Sequence, residues 1–156
     1  MSEEKLKVLT LGSGGREHML AKVCASSPLA GEVIVAPGNG GMAKEFRAFP
    51  VNVEDNEAIV ALAREQEVDF VVVGPEVPLC NGAVDALAEA GVLAYGPNRA
   101  GAELEGSKAF TKDFLARHGI PTAAYGTFSD AEEAVAFLAD SALPVVVKAS
   151  GLAAGK

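Results

Sequence analysis

Gly12, Ser13, Gly14, Gly15 and Arg16 are the residues whose types and spacing point most directly to chemistry. They stand between an apolar run at 8–11 and a helical pattern opening at Glu17 and His18. The apolar run reads as a buried strand. A helix N-terminus carries unpaired N–H donors and a partial positive charge. Strand, glycines and helix in that order therefore predict a cradle for an anion, a phosphate above all. Arg16, just inside the helix, adds a two-pronged donor for phosphate oxygens. A dinucleotide fingerprint would need glycine at 12, 14 and 17. Position 17 is Glu, a bulky acid where close helix–strand packing is expected. The spacing thus supports an anion site without specifying a dinucleotide, and its plainer reading is a tight turn in an α/β fold.

The elements that must position these residues alternate. Strands are predicted at 8–11, 32–35, 48–51, 70–73 and 92–95, and 70–73 is the clearest buried one. Between them come helical patterns. The first carries Met19, Leu20, Val23 and Cys24 on one face. The second is capped by Asp55, with Ile59, Leu62 and Ala63 inward. The third follows the loop at 74–78, with Val84, Leu87 and Ala88 inward. Such alternation implies an open parallel sheet with right-handed crossovers. Four strands end in glycine-containing loops, after residues 11, 35, 73 and 95, so those loops converge on the edge where such sheets bind ligands. Asn39 and Glu76 stand in two of them. Asn39 has a plainer reading as a turn residue in left-handed backbone, and Glu76 as a solvated loop acid. His18 reads as a hydrogen-bonder at a helix start.

After about residue 103 the pattern changes. The segment 104–108 opens a helix with Ser107 as N-cap and Phe110, Phe114 and Leu115 as its buried face. His118-Gly119 closes it. Residues 123–128 read as a strand. Ser129 to Glu132 reads as a capping box for a helix with Ala131, Ala134, Val135 and Leu138 on one side. Residues 144–148 read as a strand ending in Lys148, followed by a small-residue loop at 149–156. A strand at 145–148 has few partners in this chain, so poor packing or a covering chain is expected beyond about residue 120.

The totals bound the function. The chain has 156 residues, is 49% apolar and carries a net charge of −8. That is enough for one domain and part of another. No basic stripe is present, which argues against a nucleic-acid partner. No apolar run is long enough to span a bilayer, and the acidic start does not resemble a secretion signal. A cytoplasmic protein is expected. Cys24 and Cys80 are the two cysteines and read as buried free thiols, not zinc ligands.

The motifs Leu11-Gly-Ser-Gly-Gly-Arg-Glu-His18, Ala36-Pro-Gly-Asn39, Val73-Gly-Pro-Glu76, Leu104-Glu-Gly-Ser-Lys-Ala-Phe-Thr-Lys-Asp-Phe114, His118-Gly-Ile-Pro-Thr122 and Val147-Lys-Ala-Ser-Gly-Leu-Ala-Ala-Gly-Lys156 occur in this order. Together they resemble the N-terminal part of the glycinamide ribonucleotide synthetase family of ATP-grasp ligases, over essentially the whole chain. The resemblance implies a Rossmann-like parallel sheet over 1–103 that helps hold 5-phosphoribosylamine, and the start of an incomplete ATP-grasp region over 104–156. It implies joining of glycine to 5-phosphoribosylamine with ATP and magnesium, through an acyl phosphate of glycine. Gly12, Ser13, Gly14, Gly15 and Arg16 would cradle the sugar phosphate, and Asn39 and Glu76 would meet ribose hydroxyls or the amine. Lys108 and Lys148 resemble the two ATP-grasp lysines, and Ser150, Gly151, Gly155 and Lys156 the flap over the nucleotide phosphates. Many family members carry Asp where this chain has Ser150. The magnesium ligands, the adenine pocket and most of the glycine site would lie beyond Lys156. No catalytic or metal residue is therefore assigned within the chain, which is expected to be inactive alone, its partner the missing C-terminal portion. The alternatives are a non-catalytic nucleotide-binding Rossmann module, which Glu17 disfavours, and one subunit of a split ligase.

Overall fold

The computed structural model describes residues 5–152. Two compact units divide the chain, Met1–Ala102 and Glu103–Lys156.

The first unit is built on five parallel strands, β1 (Leu6–Gly12), β2 (Ala30–Pro37), β3 (Arg47–Ala48), β4 (Phe70–Val73) and β5 (Leu93–Tyr95), in the order β3-β2-β1-β4-β5. Alternate residues point to opposite faces, and both faces are covered, which is why the buried stretches of the central strands are almost wholly apolar. Leu9, Leu11, Ile34, Val71 and Val73 face one layer, with Ile59, Leu62 and Ala63 of α2 (Asn56–Glu65), Leu79 of α3 (Glu76–Asn81) and Ala83 and Leu87 of α4 (Ala83–Glu89). Val8, Val33, Val35 and Val72 face the other, against Ala21 of α1 (Gly15–Ala25) and Met42 of a single 3-10 turn, Met42–Lys44. The chain winds from β1 outward to β3, then returns to β4 beside β1. The switch point therefore falls between β1 and β4.

Several local expectations are met for local reasons. Asp55 caps α2, its carboxylate accepting from the Ala58 N–H at 3.0 Å. Others are corrected. On α1, Met19 and Val23 are exposed, whereas Glu17 and Ala21 are buried and Leu20 and Cys24 half-buried. Apolar type alone was right for Leu20 and Cys24, which pack against the core, and wrong for Met19 and Val23. The strand expected at 48–51 is only Arg47–Ala48. The third helical pattern is two helices, because Gly82 adopts left-handed backbone at φ +89° and breaks it. Ala83 faces inward there and Ala88 is exposed. Glu76 belongs to the first turn of α3, not to a loop.

α5 (Arg99–Gly106) precedes the helix expected to open at 104–108. In the second unit α6 (Lys108–Arg117) is capped by Ser107, whose hydroxyl accepts from the Phe110 N–H. Phe110, Phe114 and Leu115 are only half-buried. The cap of α7 (Ala131–Ala139) is Asp130, not Ser129: its carboxylate accepts from the N–H groups of Glu132 and Glu133. Val135 and Ala131 are exposed and Ala134 and Leu138 half-buried, so that face is not a core face. The segments 123–128 and 144–148 are not strands and have no regular secondary structure. A strand needs a neighbour to take its N–H and C=O groups, and neither segment has one among the described residues.

Candidate functional site

The carboxyl ends of β1, β2 and β4 meet at one edge, and hydrogen bonds tie their loops together. The Gly38 N–H donates to Gly12 O at 3.1 Å, and the Gly74 N–H to Leu11 O at 3.2 Å. Asn39 Nδ2 donates to Ser13 O at 2.8 Å. Its Oδ1 accepts from the N–H groups of Gly41 and Met42. Asn39 therefore clamps the second loop to the first and caps the turn after it. The left-handed backbone considered for it is not adopted: Glu67 has the only positive φ among the described non-glycine residues.

Gly14 caps α1, and the first intrahelical bond runs from the His18 N–H to Gly14 O. The amides of Gly15 and Arg16 thus open the helix without an intrahelical acceptor. Arg16 joins the first turn of α1 to that of α3. Its Nε donates to Glu17 Oε1 at 2.7 Å and its Nη2 to Glu76 Oε2 at 3.2 Å. Glu17, then Glu76, raise the Arg16 pKa further above its ordinary value. Glu76 is held below the usual carboxylate range, first by its own N–H and then by Arg16. The guanidinium is more than half exposed, so it is fixed in direction yet open to a ligand.

Glu17 is the residue whose position the sequence did not foretell. It is 4% exposed. Its Oε2 accepts from the Gly14 N–H at 2.8 Å. A Cβ on Gly12 would lie 2.4 Å from Glu17 Cγ, and one on Gly74 would lie 2.5 Å from it. Gly74 is thus small because the Glu17 side chain lies across it, and Gly12 for the same reason and because its φ of +129° favours glycine. A second group also escaped sequence reasoning. His18 Nε2 lies 2.9 Å from Glu45 Oε1, and Lys22 Nζ 3.1 Å from Glu45 Oε2. Only the helical spacing of His18 and Lys22 hinted at it.

Within the second unit, Lys108 comes together with Ser150 and Gly151, two of the residues expected to form a flap. Lys108 Nζ donates to Gly151 O at 2.7 Å, and the Ala109 N–H to Ser150 Oγ at 3.3 Å. Two donors at a helix start thus hold two oxygen acceptors, the type a nucleotide phosphate presents. Lys148 is exposed and no contact among the described residues joins it to Lys108. Gly155 and Lys156 lie outside the described residues. Among the described residues no three His, Cys, Asp or Glu gather as metal ligands, and no helix is long and apolar enough to cross a membrane.

Comparison with known proteins decides the family. Residues 6–105 match the family model described as phosphoribosylglycinamide synthetase, N domain, and residues 106–156 match its ATP-grasp (A) domain. The chain belongs to the phosphoribosylglycinamide synthetase family. It is 55% identical to phosphoribosylamine–glycine ligase of Allochromatium vinosum over 97% of its own length and 36% of the relative's. The enzyme of Haemophilus influenzae is 53% identical over the same shares. The chain therefore spans about a third of these synthetases. Among solved structures, phosphoribosylamine–glycine ligase of Thermotoga maritima superposes with a TM-score of 0.74 at 30% identity, over 97% of this chain and 34% of that one. The biotin carboxylase domain of the Hydrogenobacter thermophilus 2-oxoglutarate carboxylase, solved with MgADP and bicarbonate, gives 0.72 at 28% identity, over 96% of this chain and 36% of that one. This parallel sheet is thus the N-terminal domain architecture of a synthetase family whose neighbours include other ATP-using enzymes.

Proposed function

We propose that this chain is the N-terminal part of a phosphoribosylamine–glycine ligase of purine biosynthesis, acting in the cytoplasm. The whole enzyme would convert ATP, glycine and 5-phosphoribosylamine into glycinamide ribonucleotide, ADP and phosphate. Residues 1–103 are its phosphoribosylamine-binding domain and 104–156 the start of its ATP-grasp region. The observation that carries this reading is the three-loop edge, with Arg16 directed by two carboxylates beside a helix start, in a chain of this family. Gly12, Ser13, Gly14, Gly15 and Arg16 receive the 5-phosphate. Asn39 holds the loops in register, and Glu76 faces the ribose or the amine.

Lys108, Lys148, Ser150, Gly151, Gly155 and Lys156 are assigned to ATP. The Lys108 and Ala109 donors fit a phosphate oxygen in chemistry and charge. Bound ATP supplies the phosphoryl group that activates the glycine carboxylate; these residues hold and orient its phosphates. Among the described residues no three His, Cys, Asp or Glu gather; the magnesium ligands are assigned to the rest of the enzyme.

The test is a chimera in which residues 1–156 replace the corresponding third of the Allochromatium vinosum enzyme. ADP release should require glycine and 5-phosphoribosylamine together, and the 156-residue chain alone should release none. Arg16→Ala in the chimera should raise KM for phosphoribosylamine about tenfold or more, with KM for glycine and ATP nearly unchanged. Turnover by the chain alone, or equal rises in all three KM values, would overturn the assignment.

A further inference from the structure

We propose that Glu17 sets which anion this edge accepts, by plugging the crevice between β1 and β4 while holding the Arg16 guanidinium at its rim. The inference rests on the sugar-phosphate reading above and goes beyond it. Ligands of open parallel sheets enter at the switch point, here between the ends of β1 and β4. Glu17 occupies that place, over Gly12 at the end of β1 and Gly74 just past β4. In a dinucleotide site the second glycine lets pyrophosphate approach the backbone, and the third lets the helix close on the strand. Here the Gly14 N–H is turned to Glu17 Oε2, and a carboxylate fills the space a pyrophosphate would need. Its charge repels any phosphate lodged between the strands.

The buried carboxylate is sustained because both oxygens are satisfied, one by a backbone N–H and one by a cation. Gln cannot reproduce this arrangement: it offers one acceptor and turns an NH2 toward one of two donors. With Glu17 on one side and Glu76 on the other, Arg16 faces the rim. A terminal phosphomonoester there meets the guanidinium and the amides of Gly15 and Arg16. A bridging diphosphate finds the crevice closed. Glu17 is therefore a positioning residue acting through Arg16, and a specificity residue acting through volume and charge.

The test is calorimetric titration of the 156-residue chain with ribose 5-phosphate and with ADP-ribose, for the wild type, Glu17→Gln and Glu17→Gly. The wild type should take ribose 5-phosphate at least about tenfold more tightly than ADP-ribose. Glu17→Gln should weaken ribose 5-phosphate roughly tenfold without weakening ADP-ribose. Glu17→Gly completes the three-glycine spacing and should reverse the preference. A Glu17 that only braces the fold would lower both affinities together with the unfolding midpoint, leaving their ratio fixed, and that result overturns the inference. Should Glu17→Gly fail to fold, Glu17→Gln decides the matter by the same ratio. Absence of ribose 5-phosphate binding in the wild type would instead defeat the sugar-phosphate reading itself, and this inference with it.

Discussion

Gly74 has ordinary backbone, so its requirement for glycine comes from the Glu17 side chain alone. Gly74→Ala should cost about 1–3 kcal/mol, the usual range for overpacking, read by urea unfolding. Most of that loss should vanish in a Glu17→Gly background, a coupling that a double-mutant cycle isolates. Glu76 makes a second prediction. Its pKa is lowered in the fold, so its contribution to stability is present above the ordinary carboxylate pKa and is lost as pH falls through the depressed folded value. Thermal unfolding between neutral and acid pH should show this, and Glu76→Gln should flatten the acid limb. The reverse slope would contradict the Arg16–Glu76 pair. Sequence spacing was enough to place Gly12, Gly14 and Arg16 at a helix start. It was not enough for Glu17, which lies against Gly74 just past β4, or for Asn39, which donates to Ser13 in the loop after β1, because both contacts depend on where the sheet brings β2 and β4. The missing third glycine was readable as a departure, but what fills its place was not.

At the scale of elements, the central strands were legible because burial on both faces leaves them almost no polar residues. Thr10 is the exception in the buried part of β1. It is fully buried, and its Oγ1 has no partner among the described residues. Thr10→Val keeps the shape and removes an orphaned hydroxyl, so stability should rise by about 1 kcal/mol. No gain in the unfolding midpoint would show that the hydroxyl is satisfied in solution. Caps were legible where one side chain had one possible role: Asp55→Ala should cost about 1 kcal/mol, measured the same way. Helix faces were harder. On α1 the apolar stripe through Met19 and Val23 points outward, because the glycine turn fixes the helix rotation by seating Glu17. Helix periodicity cannot register a constraint imposed by a buried carboxylate at the first turn. Likewise, Gly82 reads as an ordinary residue in a helical pattern until its left-handed backbone ends α3 and begins α4.

For the whole molecule, the two units differ in what holds their backbones. The first has a five-stranded ladder. The second holds α6 and α7, together with the irregular segments 123–128 and 144–148, which carry no ladder among the described residues. Strand propensity there was legible, but propensity is not pairing, and the shortage of partners for 145–148 was legible too. Amide exchange should therefore be slow in β1, β2 and β4 and fast across 123–128 and 144–148. Protection in those segments equal to β1 would show that they pair in solution. Val146 and Val147 are 78% and 77% exposed, and Val145 is 40% exposed. Three neighbouring β-branched residues whose backbone groups pair with no strand among the described residues form a template that a second molecule can join edge to edge. Concentrated solutions of this chain should consequently scatter light and bind amyloid dyes over time, and a single Val146→Lys gatekeeper should keep them clear.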